Sequence, residues 1–273
     1  MREIEKTFQN LREKGEGALI AYVTAGDPKP KHTPRIVEAL INGGADIIEL
    51  GIPFSDPIAD GPTIQAATVR ALKANTTPKM VLEITREIKE EHSVPIVILT
   101  YYNPVFKMGL EKFFALARRC KVDGIIVPDL PVEEAYDYKM VAEAHGIDTI
   151  FLAAPSTSKE RLKKIVDYTS GFLYLVSIFG VTGAREKIQE LTVRTINKFH
   201  PYTSGRIPLA VGFGISKPEH VKAVIESGAE GAIVGSAFVD VIKKNRGDVS
   251  KIFKEIKEKA RKLKEATKEP LTR

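Results

Sequence analysis

GGADIIELG at residues 43–51, KVDGIIVPD at 121–129 and SGAEGAIVGS at 227–236 are variants of one pattern. Each opens on a small or polar turn, passes an acidic residue (Asp46, Asp123, Glu230), runs through an apolar stretch and ends polar. A short, continuous apolar run is the mark of a parallel strand buried on both faces, because an antiparallel strand with one wet face would alternate. Working outward, similar runs stand at Leu19–Thr24, Asp46–Leu50, Pro95–Thr100, Gly124–Val127, Thr149–Ala153, Phe172–Ser177, Pro208–Val211 and Gly231–Val234. Amphipathic segments of helical length lie between them, among them Met80–Glu91, Glu111–Cys120, Glu133–His145 and Lys159–Tyr168. Eight such strands alternating with helices predict an α/β fold, a (β/α)8 TIM barrel forming a single domain over 1–273. A doubly wound open sheet is the alternative, but it would place a G-x-G-x-x-G turn after the first strand, where this chain has AGDP (25–28).

The bulk properties agree. A chain of 273 residues suits a barrel, which commonly takes roughly 250. With 43% hydrophobic and 28% charged residues it is not a disordered chain. No apolar run reaches the ~18–20 residues of a membrane span. The opening MREIEKTFQNLREKGEG reads as a charged N-terminal helix without the apolar region of a secretory signal, so a cytoplasmic protein without membrane attachment is expected. The lone cysteine, Cys120, excludes a disulfide framework and a Cys-rich zinc module. Lys and Arg exceed Asp and Glu by 41 to 35, a net +6. Much of that excess lies after Asp248, where Ile252, Phe253, Ile256, Ala260 and Leu263 recur at helical spacing. This is a C-terminal amphipathic basic helix with a solvated face, not a nucleic-acid arm, and the modest positive field favours a small anionic substrate.

In a TIM barrel the chemistry sits at the C-terminal ends of the strands. Glu49 is the sharpest residue there, a carboxylate inside Ile47-Ile48-Glu49-Leu50. Burying it is costly unless it is paired or protonated, so it is either a raised-pKa acid–base group or a structural carboxylate bonded to neighbouring strands. Asp60, in ADGPT, is equally a helix N-cap before proline or a catalytic group. Asp56 reads as a turn residue, and Asp129 either lines the site or fixes its turn. The glycine turns GVTG (180–183), GFGIS (212–216) and Gly235-Ser236 follow the last three strands, where barrels bind phosphate with backbone amides and a helix N-terminus. No strand ends in Lys, which argues against a Schiff-base aldolase. The five histidines are scattered, so no metal site is expected. What remains is carboxylate-driven, metal-free chemistry on a phosphorylated substrate.

At this point the segments AYVTAGDP, GADIIELGIPFSDPIADGPTIQ, TYYNPVF, DGIIVPDLPVEE, GVTGAR and VGFGIS resemble the tryptophan synthase alpha-subunit family from about Phe8 through the last strand. The resemblance implies a lyase that cleaves indole-3-glycerol phosphate to indole and glyceraldehyde 3-phosphate by a retro-aldol reaction. It implies catalytic roles for Glu49 and Asp60. Thr182, Gly183, Gly212, Phe213, Gly214, Gly235 and Ser236 would match the phosphate turns. Tyr22, Leu99, Tyr101, Asp129, Tyr174 and Ile233 would surround the indole and glycerol. It also implies a PLP-dependent beta subunit as partner, in an alpha2beta2 assembly, with no cofactor in this chain. The proline-stiffened loop Pro53–Pro62, with Pro53, Asp56 and Pro57, is the expected partner interface, and Phe179–Leu191 is expected to be a second active-site loop. Another phosphosugar isomerase or epimerase, or a non-catalytic activator of a beta subunit, are the competing readings. The missing metal ligands oppose the first and the intact Glu49 and Asp60 the second.

Overall fold

The computed structural model describes residues 1–176, 185–212 and 214–268, the side chains of 185–190 excepted. All strand pairs are parallel, in the order β5-β4-β3-β2-β1-β9-β8-β7-β6. The strands are β1 Ala18–Thr24, β2 Ile47–Gly51, β3 Ile96–Leu99, β4 Gly124–Ile126, β5 Asp148–Ile150, β6 Leu152–Ala153, β7 Leu173–Val176, β8 Leu209–Gly212 and β9 Gly231–Val234. The two ends of that order, β5 and β6, are consecutive halves of one strand parted by Phe151. The first half pairs with β4 and the second with β7, and the N–H of Tyr174 donates to the Phe151 carbonyl at 3.1 Å. The ring therefore closes on itself as an eight-staved TIM barrel, and the open-sheet alternative falls.

Twelve α-helices are defined among the described residues: α1 Glu3–Glu13, α2 Thr33–Asn42, α3 Pro62–Lys73, α4 Pro78–Glu91, α5 Tyr102–Met108, α6 Leu110–Arg119, α7 Tyr136–Ala144, α8 Lys159–Tyr168, α9 Arg185–Thr203, α10 Pro218–Glu226, α11 Ser236–Lys244 and α12 Val249–Glu265. The helix expected over Glu133–His145 begins later, because Val132–Glu134 forms a 3-10 turn first. Of the expected loop Phe179–Leu191, residues from Arg185 on belong to α9, while 179–184 lie outside the described residues. No helix is long and apolar enough to cross a membrane among the described residues.

The core has two shells. The outer shell joins the outward strand residues to the helices, and α12 contributes Ile252, Ile256, Ala260 and Leu263 to it. The inner shell fills the barrel with Ile20, Ile47, Val97, Ile126, Ile150, Tyr174, Ala210 and Ile233. Its floor is α1, whose apolar stripe Ile4, Phe8 and Leu11 closes the N-terminal end, with Phe8 stacked near Phe172 at 6.0 Å between ring centroids.

The acidic residue of the repeated pattern finds its physical reason at that floor. Asp46, Asp123 and Glu230 each accept the backbone N–H of the neighbouring strand: Leu19 at 2.7 Å, Ile96 at 2.8 Å and Leu209 at 3.1 Å. Each is also paired with a cation: Lys264 at 3.0 Å, Lys89 at 2.9 Å and Arg12 at 2.6 Å. Asp148, on β5, pairs with Arg2 at 2.6 Å. Carboxylates so held satisfy strand amides that the ladder leaves open and bind helices to the sheet. Lys89 and Asp123 are 9% and 13% exposed, so removing one partner strands the other charge. Asp123→Ala is expected to cost about 3–5 kcal/mol in urea denaturation, while the double exchange Asp123→Leu/Lys89→Met costs much less.

Candidate active site

Side chains alternate across a strand, so on β2 the residues Ile47, Glu49 and Gly51 share the inner face. Ile47 belongs to the inner shell, Glu49 stands above it, and Gly51 is at the rim beside Tyr22. The register sets Tyr22 of β1 beside Glu49 on one side and Val97 of β3 on the other. Gly51 is needed here because any Cβ would overlap the Tyr22 ring. Glu49 is 1% exposed, and its Oε2 has no hydrogen-bond partner among the described residues. The reading of Glu49 as a carboxylate bonded to neighbouring strands is not supported for that oxygen. Burial, and then the negative charge of Asp60, push its carboxyl up to about 8, so it is protonated at neutral pH.

A cavity of about 250 Å³ opens at the C-terminal mouth, and Glu49 and Asp60 both line it. Of the expected substrate residues, Tyr22, Leu99, Tyr174, Gly214, Ile233, Gly235 and Ser236 line the same cavity. Tyr101, Asp129 and Gly212 do not. Tyr101 stands behind the wall, where its hydroxyl accepts the Ala59 N–H at 3.0 Å and faces Asp60. Asp129 accepts the Tyr102 N–H at 2.8 Å and so caps α5, and it opens onto a separate groove with Arg161. Gly212 packs under Tyr174, where a Cβ would overlap the ring. A bulky Gly212 variant would therefore displace Tyr174 before it reached any ligand. Thr182, Gly183 and Phe213 lie outside the described residues.

Asp60 is not a helix cap. Gly61 holds the N-cap position of α3 with extended backbone, and no side chain caps that helix. The Asp60 backbone is fixed instead: its N–H donates to Pro57 O at 3.3 Å and its carbonyl accepts from Gln65 Nε2 at 2.8 Å. The carboxylate is left for the cavity. Burial raises it to about 6, against the pull of the Tyr101 hydroxyl. Two carboxyls in one cavity thus titrate on opposite sides of pH 7, the arrangement that assigns one as acid and the other as anion.

In the same cavity, Gly235 holds the N-cap position of α11 without a side-chain cap, and Ser236 opens its first turn. The free N–H groups and dipole of a helix start favour an anion. Gly214, with φ +75, takes the left-handed backbone that glycine allows beside it. Among the described residues the cavity wall holds no Lys or Arg. Sequence reasoning missed Ala59, Thr63, Ile64, Pro128, Leu152 and Ile215, which are wall residues without chemical signal. The partner loop is split in exposure: Pro53 is buried, Pro57 half-buried and Asp56 exposed. Ile58, 80% exposed, is the residue of that loop that meets solvent with an apolar face.

A closed (β/α)8 barrel with a cavity and two carboxyls at the C-terminal ends of its strands has the architecture of a TIM-barrel enzyme. The chain matches the family described as tryptophan synthase alpha chain over residues 8–268 and belongs to it. It is 51% identical to the tryptophan synthase alpha chain of Solibacter usitatus over 90% of this chain and 91% of that one. It superposes on the tryptophan synthase subunit alpha of Legionella pneumophila with a TM-score of 0.90, at 33% identity, covering 98% of both chains. A chain from the tryptophan synthase a2b2 complex of the hyperthermophile Pyrococcus furiosus matches with a TM-score of 0.85 at 45% identity, covering 91% of this chain and 98% of that one. The chain is a lyase, and its reaction is the retro-aldol cleavage of indole-3-glycerol phosphate to indole and glyceraldehyde 3-phosphate.

The buried Glu49 has a sign that stability measurements read. Between about 4.5 and about 8 the unfolded chain loses this proton and the folded chain keeps it. Stability is therefore lost as pH rises through that window, by about 1.4 kcal/mol per pH unit at most. Glu49→Gln removes the group, so its stability gain over the parent is expected to grow with pH across the window and then level off. A constant difference in melting temperature at all pH values would contradict this.

Proposed function

We propose that Glu49 and Asp60 divide the proton work of this reaction. Protonated Glu49 delivers its proton to C3 of the indole, which turns a poor carbanion leaving group into a neutral one. The resulting carboxylate takes the proton of the 3′-hydroxyl as the C3–C3′ bond breaks and the aldehyde forms, so the hydroxyl proton replaces the one delivered. N1 keeps its proton throughout. Its growing positive charge is met by ionised Asp60, a fixed charge in a largely apolar cavity. The observation that carries the reading is the unpartnered Glu49 oxygen in the same cavity as Asp60. Tyr22, Leu99, Tyr174 and Ile233 supply the apolar walls for the ring, and Gly214, Gly235 and Ser236 the amide cradle for phosphate. Tyr101 and Asp129 serve from behind the wall, Tyr101 through Asp60 and Asp129 through the start of α5.

Every proton in this scheme has a side chain of this chain, so the alpha reaction needs no cofactor or metal. PLP belongs in this reading to a beta subunit that receives the indole in an alpha2beta2 assembly, and this biosynthetic work is cytoplasmic. The surface for that partner is the rim above β2 and β3. Ile58, 80% exposed, and Phe106 on α5, 69% exposed, follow adjacent strands. Exposed apolar side chains grouped on one rim mark an association site.

The scheme requires Glu49 protonated and Asp60 ionised, so kcat/KM for indole release is expected to be bell-shaped with limbs near 6 and 8. Asp60→Asn should remove the acid limb with most of the turnover, and Glu49→Gln should abolish turnover while the protein stays folded. Wild-type rates in Glu49→Gln would end the assignment. For the partner, Ile58→Glu and Phe106→Glu are each expected to weaken association with the cognate beta subunit about ten-fold or more, measured by calorimetry, and to leave the unaided alpha rate within about two-fold.

A further inference from the structure

One buried ion pair at the catalytic end of the barrel has no part in that chemistry. Asp27 follows β1 and is 1% exposed. Both of its oxygens accept from Arg70 of α3, Nε to Oδ1 at 2.7 Å and Nη2 to Oδ2 at 2.6 Å. Neither residue lines the cavity. The Arg70 side chain is only 16% exposed, so both charges are largely out of water. A pair so desolvated is a poor source of net stability, but its fork geometry fixes direction as well as distance.

What it fixes is α3. The first turn of this helix carries Thr63 and Ile64 into the cavity wall. Its buried face is made of small side chains, Ala67 beside Tyr22 and Val239 and then Thr68 and Ala71, and such packing is non-directional. Its last turn holds Arg70. Asp60 rides on the same helix, because Gln65 of α3 binds the Asp60 carbonyl through its side chain and the Gly61 carbonyl through its N–H. Asp60 is therefore joined at one end to a helix whose far end is clamped to the β1 rim.

We propose that Asp27 and Arg70 form a positioning pair that sets α3, and through it the Asp60 carboxylate, against the bound indole. The proposal rests on the reading of Asp60 as the charge that meets N1. Loss of the fork lets α3 shift on that small-residue face, and misplacement by a fraction of an ångström to an ångström costs on the order of ten- to a hundred-fold in rate.

The test compares Arg70→Lys, Asp27→Asn and Asp60→Asn in the full-length chain, with indole release from indole-3-glycerol phosphate as readout and circular dichroism as a check of folding. Arg70→Lys keeps the charge and loses the fork. Expected for Arg70→Lys and Asp27→Asn are a fall in kcat of about ten-fold or more, KM within about three-fold, and an acid limb displaced by about half a pH unit or more. Asp27→Glu, which keeps a carboxylate for the fork, should recover part of the kcat. A purely structural pair would lower the melting temperature and leave kcat per folded molecule and the acid limb unchanged, and that result overturns the proposal. If Arg70→Lys does not fold, Asp27→Asn decides; if neither folds, the pair is a folding element and the proposal falls. Turnover retained in Asp60→Asn would sink the reading of Asp60 itself. An inactive Asp60→Asn beside fully active clamp variants would sink only the clamp.

Discussion

Closure of the strand ring fixes which residues can meet in this protein. Once β5 and β6 complete the ring through Phe151, every second residue of every strand points inward, and the height of each is set by the register. The inner line of β2 is then Ile47, Glu49, Gly51, and a one-residue slip would turn Glu49 out among the helices. Because the interior below is apolar and its floor is sealed by α1, none of the described residues beneath Glu49 offers it a counter-ion. The charge that acts on it most among the described residues is another carboxyl, Asp60. The barrel thus makes an acid of a residue that water would leave ionised.

The two ends of the barrel treat carboxylates in opposite ways. At the floor Asp46, Asp123, Asp148 and Glu230 each have a cation within 3.0 Å, and three of them also hold a strand amide. At the mouth Glu49 and Asp60 face an apolar cavity without a Lys or Arg among its described lining. The difference is one of pairing more than of burial: Asp123 and Glu49 are both largely withdrawn from solvent, yet only the first is neutralised by a partner. Stability sits where barrel strands begin and chemistry where they end, and the same residue type serves both.

The apolar runs made the strands legible because two-sided burial leaves no room for polar residues, and the observed bounds agree with the runs to within a residue or two. Glu49 was legible for the same reason, as the one charge within such a run. Asp60 was not decidable from the residues alone, since an Asp before Gly-Pro fits a helix cap as well as a catalytic group; the placement of Gly61 at the cap removes the first reading. Asp129 carried the same ambiguity, and here the geometry shows an amide-binding carboxylate at the start of α5. The clamp between Asp27 and Arg70 was invisible because its partners are 43 residues apart and neither breaks a local pattern. Gly212 shows the limit of such a signal: a glycine at a strand end marks close approach without saying to what, and on the side its Cβ would occupy the neighbour is the Tyr174 ring.

The short loop before α3 joins the surface to the cavity. Ile58, Ala59 and Asp60 are consecutive, with the first in solvent, the second bonded to the Tyr101 hydroxyl and the third in the cavity. Phe54 packs on the Tyr101 ring at 5.4 Å, so both ends of the short loop rest on one tyrosine. Beyond those contacts the loop has few hydrogen bonds of its own, Ile58 N–H to Asp56 O at 3.0 Å being one. On the proposed reading, a partner surface covering Ile58 presses this loop inward. Tyr101 then limits how far Ala59 moves, and α3 limits how far Asp60 follows. On the proposed reading, docking at the rim acts on the position of Asp60 and leaves Glu49, fixed in the barrel wall, where it is.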